Sequence, residues 1–174
     1  MDSQSVAAFV TSTNQVFTTM LSLQVSAGKP YSGCAVPRFE NDVSGIIGLS
    51  GDVQGMVVLS FPTTTARNAI RAFTGMDMEP SSPDFADAIG ELVNMISGAA
   101  KAKFEGRTIS ISCPSVVLGR GHRVTQPSDA FCITIPFDCP AGEFSLEVAM
   151  KLAKSDAVPS VIPRHAPLDT RRLL

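Results

Sequence analysis

Residues 44–62 read "SGIIGLSGDVQGMVVLSFP". Two apolar, β-prone runs flank "SGD", and Gly51-Asp52 can supply a tight turn. This is the pattern of a β-hairpin. A second pair of runs repeats it: "AFCITIPF" (130–137) and "EFSLEVAMKLA" (143–153), joined across "DCPAG". Strands joined by such short connections run antiparallel.

Working outward, residues 3–22 predict a helix, because Val6, Phe9, Val10, Val16, Phe17, Met20 and Leu21 recur at three- and four-residue steps. "SAGKPYSG" (26–33) is turn chemistry. "TTTARNAIRAFTGM" (63–76) predicts a short helix with a threonine cap, ended by Gly75. A longer helix follows, with Ser82 as N-cap and Pro83 in its first turn. "GRTISISCP" (106–114) alternates like a strand, and "SVVLGRGHRV" (115–124) begins extended and becomes a loop. Helix, strand and hairpin thus occur at 3–61 and again at 84–152, with the short helix between. The expected fold is α/β in the α+β sense: a single domain with a mostly antiparallel central sheet and about three helices, built from two pseudo-duplicated units. The domain is placed at 1–153. Residues 154–174, rich in proline and without periodicity, read as a C-terminal tail.

Composition bounds the function. The 174 residues are 44 % hydrophobic and 17 % charged, a globular balance. A net charge of −2 gives no electrostatic footprint for nucleic acid or an anionic membrane. No apolar run is long enough to span a bilayer. The start, "MDSQSVAAFV", lacks the basic region and cleavage pattern of a signal peptide, so a cytoplasmic location is expected. Cys34, Cys113, Cys132 and Cys139 are scattered, with no C-x-x-C pair, which gives no disulfide framework or zinc site. Cys113 and Cys132 lie in apolar strand-like runs and read as small core residues. The two histidines, His122 in "GRGH" and His165 in the tail, cannot build a His metal cluster, and a Ser-His-Asp triad is not expected.

The chemistry concentrates in the long helix, "DAIGELVNMISGAAKAKF" (87–104). At 100° per residue, Phe85, Ile89, Leu92 and Ile96 form one stripe, and Asp87, Glu91, Asn94 and Gly98 form another, roughly 170° away. The first stripe is expected to face the core and the second to face outward. The helix dipole accounts for acids at 84 and 87, and for Lys101 and Lys103 at the other end. It accounts less well for Glu91 and Asn94 in mid-helix, where asparagine is a weak helix former. Gly90 costs the helix about 1 kcal/mol relative to alanine, and together with Gly98 it leaves room for a close approach.

The arrangement D-x-x-x-E-x-x-N on a helix, with a proline some twenty residues on, resembles the CheC/CheX family of chemotaxis phosphatases. Here it is Asp87, Glu91 and Asn94, then Pro114 in "ISCPSVVLGRGH". "VFTTMLSLQVSAGKPY" and the 44–62 hairpin are similar to the corresponding parts of CheX-like proteins, so the likeness covers roughly residues 5–152. The resemblance implies a phosphatase acting on the phosphoaspartate of a CheY-like response regulator. It implies no cofactor on this chain, since the Mg²⁺ belongs to the regulator. It gives Asn94 the role of orienting the attacking water and Glu91 that of pairing with a lysine of the regulator. Asp87 supports the contact or the helix start, Gly98 keeps the path clear, and Pro114 shapes the turn beside the helix. The alternative is a module that binds the regulator or a motor component without hydrolysis. CheC-like members carry two such helices. The matching positions in the first helix are Ala7, Thr11 and Asn14, without acids, so a single active face is expected, as in CheX. CheX-like members are often dimers, which makes a second copy of the chain a candidate partner, through edge pairing of the last strands.

Overall fold

The computed structural model describes residues 3–33, 41–126 and 129–153. The two hairpins form as expected. Strands β3 (Val43–Gly51) and β4 (Val53–Phe61) pair from Val43↔Phe61 to Leu49↔Gly55. Strands β7 (Phe131–Cys139) and β8 (Gly142–Leu152) pair from Phe131↔Met150 to Cys139↔Gly142. The hairpins join through β4 and β8, antiparallel, with Val57 opposite Val148. With four short strands, β1 (Ser26–Ala27), β2 (Tyr31–Ser32), β5 (Ile109–Ile111) and β6 (Ser115–Leu118), the result is one eight-stranded antiparallel sheet in the order β1-β7-β8-β4-β3-β5, with β2 also on β7 and β6 also on β3.

The short strands show how the two units interlock. β1 (Ser26–Ala27) and β2 (Tyr31–Ser32) lie on β7 of the second hairpin, whereas β5 (Ile109–Ile111) and β6 (Ser115–Leu118) lie on β3 of the first. Each half therefore completes the sheet of the other. "SAGKPYSG", read as turn chemistry, carries two two-residue strands around its turn. The strand expected over 106–114 is interrupted at Cys113-Pro114, because proline has no N–H for the ladder. That break leaves Cys113 exposed rather than in the core, and Cys132 is only half-buried. Among the described residues β8 lies between β4 and β7, and β7 carries β1 and β2 on its far side. The last strands therefore present no free edge for a second copy.

The helices cover one face of the sheet. α1 (Ser3–Val16) continues as a π-helical turn (Phe17–Leu21) that ends at Ser22, in the left-handed region at φ 57°. α2 spans Thr63–Thr74 and α3 spans Pro83–Lys101. Phe9, Phe17, Phe61, Phe85 and Phe144 are fully buried between helices and sheet. Phe144 is the hub, stacked on Phe17 at 4.6 Å and on Phe137 at 5.0 Å between ring centroids. Burying such a ring is worth about 1.5–3 kcal/mol. The caps differ from expectation. Pro62 occupies the N-cap of α2, and the capping oxygen is Asp42 Oδ2, which accepts from the Thr63 N–H (3.1 Å) and hydroxyl (2.9 Å). Ser82 holds the N-cap position of α3 without a side-chain capping bond. Gly75 ends α2 in the left-handed region, as expected.

The opposite face of the sheet is covered as well. Residues 119–122 are pinned there: the His122 N–H donates to Asn41 O, and the Gly119 N–H to Asp42 O. His122 Nε2 meets Ser44 Oγ at 2.8 Å and Nδ1 meets Gly119 O at 2.8 Å, while Ser44 shares a 2.7 Å hydrogen bond with Ser60. Ser44 is fully buried and the second ring nitrogen meets a backbone carbonyl rather than a carboxylate, so this serine–histidine contact fastens a loop rather than activating a nucleophile. Residues 154–174, expected to be a tail, lie outside the described residues, as do Cys34 and His165.

Candidate functional site

α3 is the longest helix and the one held from most sides. Its ends obey the macrodipole, with Asp84 in the first turn and Lys101 in the last. Phe85, Ile89, Leu92 and Ile96, the predicted inner stripe, are all fully buried. The buried face is wider than that stripe and takes in Gly90, Val93, Ser97 and Ala100. The reason is steric. A Cβ on Gly45 of β3 would stand 2.9 Å from Val93 Cγ1, so the helix sits directly on the strand. A Cβ on Gly90 would meet Pro114 Cγ at 3.2 Å and Val116 at 3.7 Å. Gly90 is therefore where the helix backbone approaches the Pro114 turn. That turn is itself tied to β3, because Ser112 Oγ accepts from the Gly48 N–H at 2.9 Å and the Ser112 N–H donates to Gly48 O at 2.9 Å.

The other face carries the predicted polar line. Asp87 and Glu91 are exposed, and Asn94 and Gly98 are half-exposed. At 1.5 Å per residue the line from Asp87 to Gly98 is roughly 16 Å long. Neither the Glu91 nor the Asn94 side chain makes a hydrogen bond or ion pair with the described residues. A carboxylate and an amide thus stand one turn apart on a rigid helix, both uncommitted and both pointing away from the core. Gly98 has open space around it, with nothing within 4 Å of an added Cβ. Internal packing explains glycine at 90 and does not explain it at 98.

The comparable line on α1 lies on the same side of the sheet. Ala7 and Thr11 are exposed, and Asn14 is half-buried with its Oδ1 covered and unpartnered. It offers no carboxylate. Between the start of α1 and the end of α3 runs a cleft of about 460 Å³, whose lining includes Ala7, Thr11, Lys103, Phe104 and Arg107. Sequence patterning did not reveal this cleft, because it forms between segments about a hundred residues apart. Among the described residues no three His, Cys, Asp or Glu side chains come together as metal ligands. No helix among them is long and apolar enough to cross a membrane.

A helix-covered antiparallel sheet made of two interlocked halves is the fold of CheX- and CheC-like chemotaxis proteins. The sequence profile of the family described as Chemotaxis phosphatase CheX matches residues 43–138. The chain belongs to that family. The CheY-P phosphatase CheX of Thermotoga maritima is 29 % identical over 127 residues, which is 71 % of this chain and 81 % of that one. The crystal structure of the chemotaxis protein CheX from Desulfovibrio desulfuricans superposes with a TM-score of 0.77 at 34 % identity, covering 84 % of this chain and 99 % of that one. A CheX from Borrelia burgdorferi, solved as a CheX–CheY–BeF3–Mg²⁺ complex, shares the fold with a TM-score of 0.70 at 20 % identity, over 84 % and 97 % of the two chains.

Proposed function

We propose that this protein is an aspartyl-phosphate phosphatase acting in the cytoplasm on a phosphorylated CheY-like response regulator. The observation that carries the reading is the Glu91–Asn94 side-chain pair, uncommitted and outward on a helix packed against α1, β3 and β6. The Thermotoga relative is named a CheY-P phosphatase, which supports the substrate. The Borrelia relative was solved in complex with CheY, which supports the partner.

The reaction breaks the bond between the regulator's carboxylate oxygen and phosphorus. Water oxygen replaces it, giving free aspartate and inorganic phosphate. Such transfer depends on positioning and charge stabilisation more than on covalent chemistry. Asn94 places its amide beside the attacking water. Its Oδ1 accepts a water hydrogen and turns the water's lone pair toward phosphorus, opposite the leaving oxygen. An amide can do this without being a strong base. Glu91, one helical turn away, pairs with a lysine of the regulator and fixes the docking angle. Asp87 extends that contact toward the helix start, and Gly98 leaves clearance for the regulator's backbone. Gly90 and Pro114 act indirectly, holding α3 against the neighbouring turn. Mg²⁺ is supplied by the regulator and neutralises phosphoryl charge there, so the phosphatase needs no metal ligands.

The test is a panel of phosphorylated receiver domains from the host, each followed for phosphate loss with and without the chain. At least one receiver should lose phosphate faster. Glu91→Ala should act mainly on KM. A receiver that binds the chain and loses phosphate at its own rate would instead favour the non-catalytic module.

A further inference from the structure

The exposed face of α3 is divided by charge. Asp84, Asp87 and Glu91 occupy its first half, and Lys101, Lys103 and Arg107 stand at or just beyond its end. Asp87, Asn94 and Lys101 recur every seven residues, so each lies only about 20° from the line of the one before. Lys101 is therefore in line with Asn94, roughly 10 Å further along the helix. The macrodipole favours Lys101 in the last turn and Lys103 just past it, but its influence falls off beyond that end and leaves Arg107 without a cause. None of the three forms an ion pair with the described residues.

These cations border the cleft between α1 and the end of α3. Ala7, Ala8 and Phe104 provide its apolar lining, and Lys103, Glu105 and Arg107 its charged lining. The Phe104 ring is held by an edge contact with Phe9, 6.1 Å between centroids, so one wall is fixed. A standard interface buries about 800 Å² per partner, equivalent to a disc of about 16 Å radius. A receiver centred on Asn94 thus covers Lys101 and reaches the cleft.

We propose that the basic end of α3 and this cleft form a second contact for the receiver seated on Glu91 and Asn94. This end takes an acidic patch of the receiver, with one apolar side chain entering the cleft. The inference rests on the phosphatase reading and adds an orientation to it. The receiver's cationic side lies over Asp87 and Glu91, and its acidic side over Lys101, Lys103 and Arg107. The reversed docking places like charges together and is rejected.

The test uses the full chain carrying Lys103→Glu with Arg107→Glu, both exposed positions. Binding to a BeF3-activated receiver and steady-state phosphate release are measured across a salt series. Kd and KM should rise about tenfold at low salt, and the loss should shrink to less than about twofold at high salt, with kcat unchanged. The pair Lys103→Arg with Arg107→Lys, which keeps both charges, should bind like the wild type. Unchanged Kd at low salt, with Asn94→Ala still inactive, would overturn this second contact and leave the phosphatase reading intact. A fall in kcat at unchanged KM would also overturn it. A wild-type chain that neither binds nor dephosphorylates any receiver would remove both.

Discussion

Gly98→Ala separates stability from function. An alanine in a helix interior is favoured over glycine by about 1 kcal/mol. Gly98 lies three residues before the end of α3, so the gain is roughly 0.5–1 kcal/mol. No steric term offsets it, because an added Cβ finds nothing within 4 Å. For a domain of this size that corresponds to a rise in Tm of roughly 1–4 °C. Gly90→Ala is the internal control. There the same propensity gain meets Pro114 Cγ at 3.2 Å and should largely cancel. Gly98→Leu should keep most of the stability gain, since leucine is also a good helix former, yet crowd the face beside Asn94. KM for the phosphorylated receiver should then rise about tenfold or more. Thermal melts and steady-state phosphate release on the same preparations provide the assay. A destabilised Gly98→Ala would refute the open-space reading. A stabilised Gly98→Leu with unaltered KM would show that the glycine serves no docking role.

Two further predictions concern the scaffold. Asp42→Ala removes the acceptor for both Thr63 donors and should cost about 1–2 kcal/mol of stability at neutral pH. Burial raises the Asp42 carboxyl, but hydrogen bonds from Thr63 and Gly121 and the Arg120 charge outweigh it and hold the group below its ordinary value of 3.8. Its contribution is therefore complete above that value and disappears as pH falls through the lower folded one. Urea titrations should show the two proteins converging in acid. Glu147→Gln should have the opposite pH signature, because burial pushes the Glu147 carboxyl up from 4.5. The cost of ionising it in the fold is absent below that ordinary value and grows above it. The variant should be more stable than wild type by on the order of 1 kcal/mol at pH 8, and no more stable near pH 4.

The two hairpins and the long helix were readable from local pattern because each carries its own period and turn residues. The outward direction of Glu91 and Asn94 followed from the same arithmetic. What escaped the sequence depends on distant partners. Ser26–Ala27 and Tyr31–Ser32 are strands only because β7 lies beside them, and nothing local announces that pairing. Ser145 and Glu147 alternate outward along β8, as on a sheet with one wet face, yet both are buried. The cap of α2 comes from Asp42, twenty-one residues before Thr63, rather than from a threonine. Cys113 sits in a strand-like run but is exposed, because the following proline ends the ladder. Gly90 is costly in a helix, and its cause, Pro114, lies twenty-four residues away in sequence and beside it only in the fold.

The most direct test of the central claim is the rate of phosphate loss from a cognate receiver at saturating Asn94→Ala. Losing the amide that orients water should lower the stimulated rate about 100-fold, while Tm and affinity for the BeF3-activated receiver stay at wild-type values. A variant that still dephosphorylates the receiver at the wild-type rate would contradict the assignment of Asn94, and with it the mechanism built on this face of α3.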